Sequence, residues 1–403
     1  MKILLSAYAC EPNKGSEPEV GWNWAIELAK LGHDVWVITR ANNQHSIEKE
    51  LIQYPSRANL HFIYYDLPAW VIRLKRLPGG IYLYYSVWQF GAYKLVKKIH
   101  TSLNFDIVHH VTFVSIRFPS FMGGLKTRFI LGPVAGGEAA PRRLRAGYPM
   151  RGVILDLLRD GANCFIRFDP LIRSTLNKAE TIFVTSDQTK KLIPPKFHSK
   201  TKVKLAIGLS DKWHEQQDRI ASKTSEKFKI LFVGRFLYWK GMHLGLRAIA
   251  EVAKQFPDIH LTMVGEGPEE SDWKKQAQQL GIASKTEWIP WLSKQDLIKS
   301  YQTHHLFLFP SLHDSGGMVI IEALAQGLPV VCLDLGGPGV IIDNSCGIKI
   351  TTIKKREKDI IKDLSIALLK LLNDSDTFGR LQEGALNRMS EFAWKHIIND
   401  IYQ

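Results

Sequence analysis

Two carboxylates pose the first chemical question. In "SLHDSGGMVIIEALAQGLPVV" (311–331), Asp314 and Glu322 stand eight residues apart across the adjacent Gly316 and Gly317. Asp314 precedes the glycines at the entrance of an apolar helix, and Glu322 sits about one turn inside it. Glycines let a ligand come close to the backbone, and a helix start offers unpaired N–H groups to an oxyanion. A carboxylate within "MVIIEALA" has little polar face to occupy. Its burial calls for hydrogen-bond donors, which sugar or ribose hydroxyls supply. The bland alternative, an exposed helix glutamate and a turn aspartate, fits those apolar neighbours less well.

Two cations form the second constellation. In "VGRFLYWKGMHLGLRAI", Arg235 directly follows an apolar run, and Lys240 precedes Gly241 and a helical pattern. Paired cations beside a positive helix end suit a diphosphate, Arg offering a planar fork and Lys a point charge. The spacing is not that of a Walker A loop. Earlier in the chain, Gly15 and Ser16 lie in a loop ahead of a helix, placed either to meet a phosphate or substrate oxygen or simply to cap the helix. The run "DIVHH" ends in His109 and His110, which point to opposite faces of a regular strand, so that one faces a ligand and the other a helix layer. In "TEWIPWLS", Trp291 and Leu292 could border a nucleobase or belong to the core.

These residues need positioning elements, and the pattern supplies them. Seven β-rich runs in the first half ("KILLSAY", "DVWVITR", "LHFIYYD", "DIVHHVT", "RFILGPV", "TIFVTS", "KVKLAIG") alternate with amphipathic stretches. Six more follow in the second half: "FKILFVG", "IHLTMVG", "TEWI", "HLFLFP", "PVVCLD" and "GIKI". Many are apolar at successive positions, as parallel strands covered on both faces are. The polar stretch 210–227 separates the two sets. The expectation is an α/β protein of two Rossmann-like, doubly wound domains facing a central cleft. The first domain spans 1–208, a linker 209–225 and the second domain 226–385, with a closing helix over 389–403 packing back on the first. Ligands of such sheets bind beyond the carboxyl ends of strands, where every motif above falls.

The motifs together resemble the retaining glycosyltransferases of family 4, the group 1 enzymes of GT-B fold. The resemblance runs over nearly the whole chain and is strongest in "GRFLYWKG" and "HDSGGMVIIEALAQGLPVV", followed by a Gly-Gly pair. The family carries two glutamates separated by seven residues, with a glycine three after the first. Glu322 matches the second, Gly317 the glycine, and Asp314 replaces the first with a shorter acid. The resemblance implies that Asp314 contacts the donor's sugar hydroxyls and Glu322 the nucleotide ribose. It implies that Arg235 and Lys240 hold the diphosphate, while the backbone of Gly316, Gly317, Met318 and Val319 meets sugar and phosphate. Gly15 matches the family's glycine loop, His109 the first histidine of its His-x-His strand end, and "GPVAGGE" (132–138) lines the acceptor side. The implied enzyme is a retaining, metal-independent hexosyltransferase. It moves sugar from a UDP- or GDP-sugar to a hydroxyl of a glycan or lipid-linked acceptor in bacterial surface polysaccharide or glycoconjugate synthesis, without a cofactor.

Composition sets the outer limits. The chain has 403 residues, 45% hydrophobic and 23% charged, with a formal net charge of +14. Cys10, Cys164, Cys332 and Cys346 show no metal-ligand or disulfide spacing, which suits a reduced, cytoplasmic setting. No segment reaches the ~18 consecutive apolar residues of a spanning helix. From 67 to 100 the chain interleaves six cations with seven Trp, Tyr and Phe residues and holds no acid; 139–155 is a second acid-free basic stretch. Both suit an anionic membrane surface, and no nucleic-acid module accompanies them. Three rival functions remain in view: a nucleotide-sugar epimerase of the same fold, a two-lobed sugar-binding protein without chemistry, and an NAD enzyme, which lacks a convincing GxGxxG.

Overall fold

The computed structural model describes residues 1–54, 58–77, 79–209 and 227–402, without the side chains of Leu74 and Arg76. From 210 onward the expected linker lies outside the described residues. Thirteen strands form two sheets. The first holds β1 (Lys2–Ala7), β2 (Asp34–Arg40), β3 (Leu60–Tyr65), β4 (Ile107–Thr112), β5 (Arg128–Val134), β6 (Thr181–Val184) and β7 (Thr201–Val203) in the order β3-β2-β1-β4-β5-β6-β7. The second holds β8 (Phe228–Val233), β9 (Ile259–Val264), β10 (Thr286–Ile289), β11 (Leu306–Phe309), β12 (Val330–Leu333) and β13 (Gly347–Ile350) in the order β10-β9-β8-β11-β12-β13. Every strand pair is parallel. Each of the thirteen runs singled out in the sequence contains strand residues, although only Lys202 and Val203 of "KVKLAIG" belong to β7.

The local reasons are plain. β1 is buried at every position after Lys2, and β11 and β12 are buried throughout, so neither face can be polar. In both sheets the strand order reverses beside the first strand, between β1 and β4 and between β8 and β11. Those are the switch points at which the exit loops diverge and leave room for a ligand.

The chain divides into two compact units. One comprises Met1–Gly137, Asp160–Ile207 and the end of the chain from Ile397; the other comprises Glu138–Arg159 and Gly208–His396. The segment 138–159 therefore packs with the second sheet although it precedes β6. Asp156, 1% exposed, holds it there: Arg159 Nη2 lies 3.0 Å and Arg145 Nε 3.6 Å from its carboxylate, and the Tyr238 hydroxyl donates to it at 3.4 Å. Arg145 is thus buried rather than solvated, and Arg151 pairs with Glu269 at 3.5 Å. Much of the basic charge of 139–155 is spent inside the second unit. In the first unit the closing helix Trp394–Tyr402 brings the Tyr402 hydroxyl to His109 Nδ1 at 2.5 Å and pairs Asp400 with Lys204. All four cysteines are free thiols, and no described helix is long and apolar enough to cross a membrane.

Candidate functional site

The second unit assembles its site from three strand exits at one switch point. Arg235 leaves β8 exposed, and Lys240 ends the short 3-10 turn Tyr238–Lys240. The loop after β11 carries Asp314, and the helix Gly336–Ile341 that follows β12 begins with Gly336 and Gly337. Backbone bonds lace them together: Leu312 N–H donates to the Trp239 carbonyl at 2.8 Å, and Gly337 N–H to the Asp314 carbonyl at 2.8 Å. The glycine pair is required for that approach. A Cβ on Gly336 would stand 2.0 Å from the Asp314 carbonyl oxygen, and one on Gly337 2.0 Å from that of Gly316.

Within this frame Lys240 Nζ donates to Asp314 Oδ2 at 2.5 Å and lies 4.8 Å from the Phe309 ring centre. Both side chains of the pair are mostly buried, at 16% and 17% exposure, so the contact is shielded more than a surface ion pair. Asp314 Oδ1 also accepts from Gly316 N–H at 3.3 Å, which fixes the loop into the helix Met318–Ala325. Inside that helix Glu322 is half-buried and accepts from the Tyr301 hydroxyl at 3.0 Å. Burial and the Glu322 charge push the Tyr301 phenol well above its ordinary pKa, so it stays a donor at any working pH. Arg159 Nη1 donates to His313 Nδ1 at 2.8 Å, and so braces the residue just before Asp314.

The helices at the motif positions begin without a side-chain cap. Ser16–Lys30, Met242–Ala253 and Met318–Ala325 start after Gly15, Gly241 and Gly317, at φ 63°, 71° and 109°, with no side-chain cap. Among the other helices, Pro170–Lys178, Lys294–Thr303 and Ser375–Met389 are capped by Asp169, Ser293 and Asp374 side chains, whereas Gly80–Leu103 also starts uncapped, after Gly79 at φ 71°. An uncapped start leaves first-turn N–H groups available to an anion, so the glycines supply both the turn and the vacancy. Ser16 is the first helical residue, at φ 52°, and not the cap.

The structure therefore brings Arg235, Lys240, Asp314, Gly316, Gly317, Met318, Val319 and Glu322 together around one strand-end junction. Trp291, 76% exposed, and half-buried Leu292 follow β10, two strands away from β8 in the same sheet. Gly15, Ser16, His109 and His110 belong to the first unit. The two histidines do face opposite layers, but neither keeps a nitrogen for a ligand. His109 is fully buried: its Nδ1 accepts from Tyr402, and its Nε2–H donates to the Gly132 carbonyl. His110 Nδ1 accepts from Gln89 Nε2 at 3.2 Å, and its Nε2–H donates to the Phe113 carbonyl at 3.3 Å. Burial pushes their pKa values down to about 3 and about 4, so both are neutral at pH 7. Their geometry is that of residues securing β4 between its layers.

Two acids stand beside the motifs: Glu138, which closes the run expected on the acceptor side, and Glu17, which sequence reasoning missed. Glu138, 1% exposed, lies in the second unit with its Cγ 3.3 Å from where a Cβ on Gly336 would stand. Glu17, next to Ser16, accepts from Val114 N–H at 2.6 Å, and burial pushes its pKa up to about 7 against that bond. Only adjacency to Gly15 and Ser16 hinted at Glu17. Among the described residues no cluster of three or more His, Cys, Asp or Glu could hold a metal ion.

Two doubly wound parallel sheets, with the cation–acid pair at the second switch point, define a GT-B fold. Residues 214–388 match the family described as Glycosyl transferases group 1, so the resemblance carried by the motifs holds over that span. D-inositol 3-phosphate glycosyltransferase of Corynebacterium kroppenstedtii is 30% identical over 206 residues, 48% of this chain and 44% of that protein. Glycogen synthase of Mycobacterium tuberculosis is 28% identical over 171 residues, 42% of this chain and 40% of that protein. The match thus spans less than half the length of these curated relatives. Solved structures align over the whole chain. A glycosyltransferase from Rickettsia africae gives a TM-score of 0.64 at 17% identity, covering 99% of this chain and 96% of that one. Anabaena HepE in complex with UDP gives 0.61 at 16%, covering 100% and 98%.

Proposed function

We propose that the protein is a retaining glycosyltransferase that takes sugar from a nucleotide diphosphate sugar and attaches it to an acceptor hydroxyl. The observation that carries this reading is the Lys240–Asp314 pair at 2.5 Å beside an uncapped helix start, with Glu322 held one turn inside. The donor's diphosphate lies against Arg235, Lys240 and the N–H groups of Gly317 to Val319. Asp314 turns from Lys240 to the sugar hydroxyls, and Glu322 accepts from the ribose. Trp291 and Leu292 border the base. The Gly15–Ser16 loop meets the donor, and the first unit holds the acceptor at the carboxyl ends of its strands.

In the reaction the bond from the anomeric carbon to the phosphate oxygen breaks, and the diphosphate leaves with the electron pair. The acceptor oxygen bonds to that carbon on the same face, and its proton passes to the departing phosphate oxygen. Arg235, Lys240 and the helix start stabilise the negative charge that grows there, the role a divalent cation plays in other transferases. No metal or further cofactor is needed on this account. Support for a UDP-sugar comes from the UDP in the HepE complex.

A face of the first unit suits a membrane-borne acceptor. On the helix Gly80–Leu103, Leu83, Val87 and Phe90 are exposed, followed by exposed Lys94, Lys97 and Lys98, and Trp70 is 72% exposed nearby in sequence. Apolar residues at helical spacing followed by lysines fit an interface with anionic headgroups. This supports a glycan or lipid-linked acceptor of the cell surface, with the enzyme cytoplasmic and peripheral to the membrane.

A thermal-shift panel of UDP-, GDP- and ADP-sugars identifies the donor, because a ligand bound only by the folded state raises its stability. Lys240→Ala should then lower kcat/KM by about 10²- to 10³-fold, the loss seen when one donor to a developing oxyanion is removed. Its circular dichroism should be unchanged. Near-normal turnover in that variant refutes the assignment.

A further inference from the structure

In the first unit, four polar side chains gather at a place that the proposed reaction leaves unused. Tyr8 follows β1, Arg40 ends β2, and Asp66 follows β3, so all three stand at the carboxyl edge of the sheet, where ligands of such sheets bind. Lys75 joins them from the 3-10 turn Arg73–Arg76. The Arg40 Cζ lies 5.2 Å and the Lys75 Nζ 6.0 Å from the Tyr8 ring centre, and Lys75 Nζ is 3.8 Å from the ring centre of Tyr84.

The hydrogen-bond account of these groups does not close. Tyr8 is 6% exposed, yet its hydroxyl makes no hydrogen bond among the described residues, and neither do the buried Arg40 Nε and Lys75 Nζ, which have instead the longer ion pair with Asp66 and the Tyr84 ring. The nearby acid is already engaged: Asp66 accepts from the Tyr84 hydroxyl and lies 3.7 Å from Arg40 Nε. Burial and the Arg40 charge push the Lys75 ammonium down to about 8, with Asp66 pulling the other way. A buried donor without a hydrogen bond is destabilising. Three at one place, two of them on cationic side chains, suit an oxyanion.

We propose that Tyr8, Arg40 and Lys75 bind an oxyanion group, phosphate or carboxylate, carried by the acceptor. The inference rests on the reading of the first unit as the acceptor's, and it narrows that acceptor to an anionic one. The phenol O–H, the guanidinium fork and the ammonium each donate to it, and the Asp66 carboxylate keeps Arg40 in place.

The test is calorimetric titration of the full chain carrying Arg235→Ala and Lys240→Ala, which removes the other anion site, with sodium sulfate and separately with sodium acetate. Saturable binding is expected, weakened at least tenfold by Lys75→Met and several-fold by Tyr8→Phe, which deletes a single oxygen and leaves the ring packing. Stronger sulfate binding marks a phosphorylated acceptor, and stronger acetate binding a carboxylated one. Absence of saturable binding by either ion, or binding unchanged in the Tyr8→Phe chain, overturns the proposal. Because no nucleotide sugar is present, the result is independent of the donor panel. A chain that binds sulfate through Lys75 but shifts with no nucleotide sugar keeps this site and loses the transferase reading.

Discussion

Glu17 shows how much a single carboxyl can govern. Its folded pKa of about 7 lies above the usual carboxylate value of 4.5, because burial outweighs the Val114 N–H bond. A raised carboxyl means that the folded chain holds the proton more tightly than the unfolded one. Stability should therefore fall as pH rises from about 4.5 to about 7, by up to about 3 kcal/mol, and level off above. Glu17→Gln keeps an oxygen for Val114 N–H and removes the titration. Melting temperatures at pH 5 and pH 8 should then differ less in the variant than in the parent. Equal slopes in both chains would place the pH dependence elsewhere. The burial of Glu17 and Glu138 was illegible in sequence because an acid beside a glycine looks the same whether solvated or buried. Lys240, Asp314 and Glu322 were legible because their neighbours in sequence already define a strand end, a loop and an apolar helix.

Among the elements, the three segments after β8, β11 and β12 act as one body. Their closeness depends on Gly337, where a Cβ would meet the Gly316 oxygen at 2.0 Å and the Ser315 oxygen at 2.9 Å. Gly337→Ala should displace the Asp314 loop, lower stability by about 1–3 kcal/mol as overpacking does, and weaken nucleotide-sugar binding more than tenfold. Gly161→Ala is the control: a Cβ there meets nothing within 4 Å, and alanine favours its helix. Should both variants bind donor alike, the close approach is not what shapes the site. The strands were legible for a local reason, since continuous apolar runs bounded by turn residues have few alternatives to a doubly covered sheet. The partners of the histidines were not. His109 is satisfied by a tyrosine 293 residues later, and no local pattern could announce that bond.

For the whole molecule, the formal net charge of +14 and the lysine-flanked apolar face of Gly80–Leu103 point to one measurement. The protein should sediment with anionic vesicles at about 20 mM salt and be released at about 0.5 M, because screening shortens the reach of its charge to a few ångströms. Recovery in the supernatant with or without vesicles at low salt would remove the membrane from the proposal. Not all the basic sequence contributes to such a surface: Arg145 and Arg159 are committed to Asp156 inside the second unit.

The sequence alone determined the thirteen parallel strands, the alternation that builds two doubly wound sheets, and the motif residues at strand ends. All of these follow from hydrophobic periodicity and turn chemistry within windows of about ten residues. Tertiary structure alone decided that 138–159 packs with the second sheet, that both histidines are neutral and engaged, and that Tyr8, Arg40 and Lys75 converge with their donors unspent. The physical reason is desolvation. Whether a charge is solvated, paired or left waiting for a ligand depends on which distant segments exclude water from it, and that is settled only when the chain has folded.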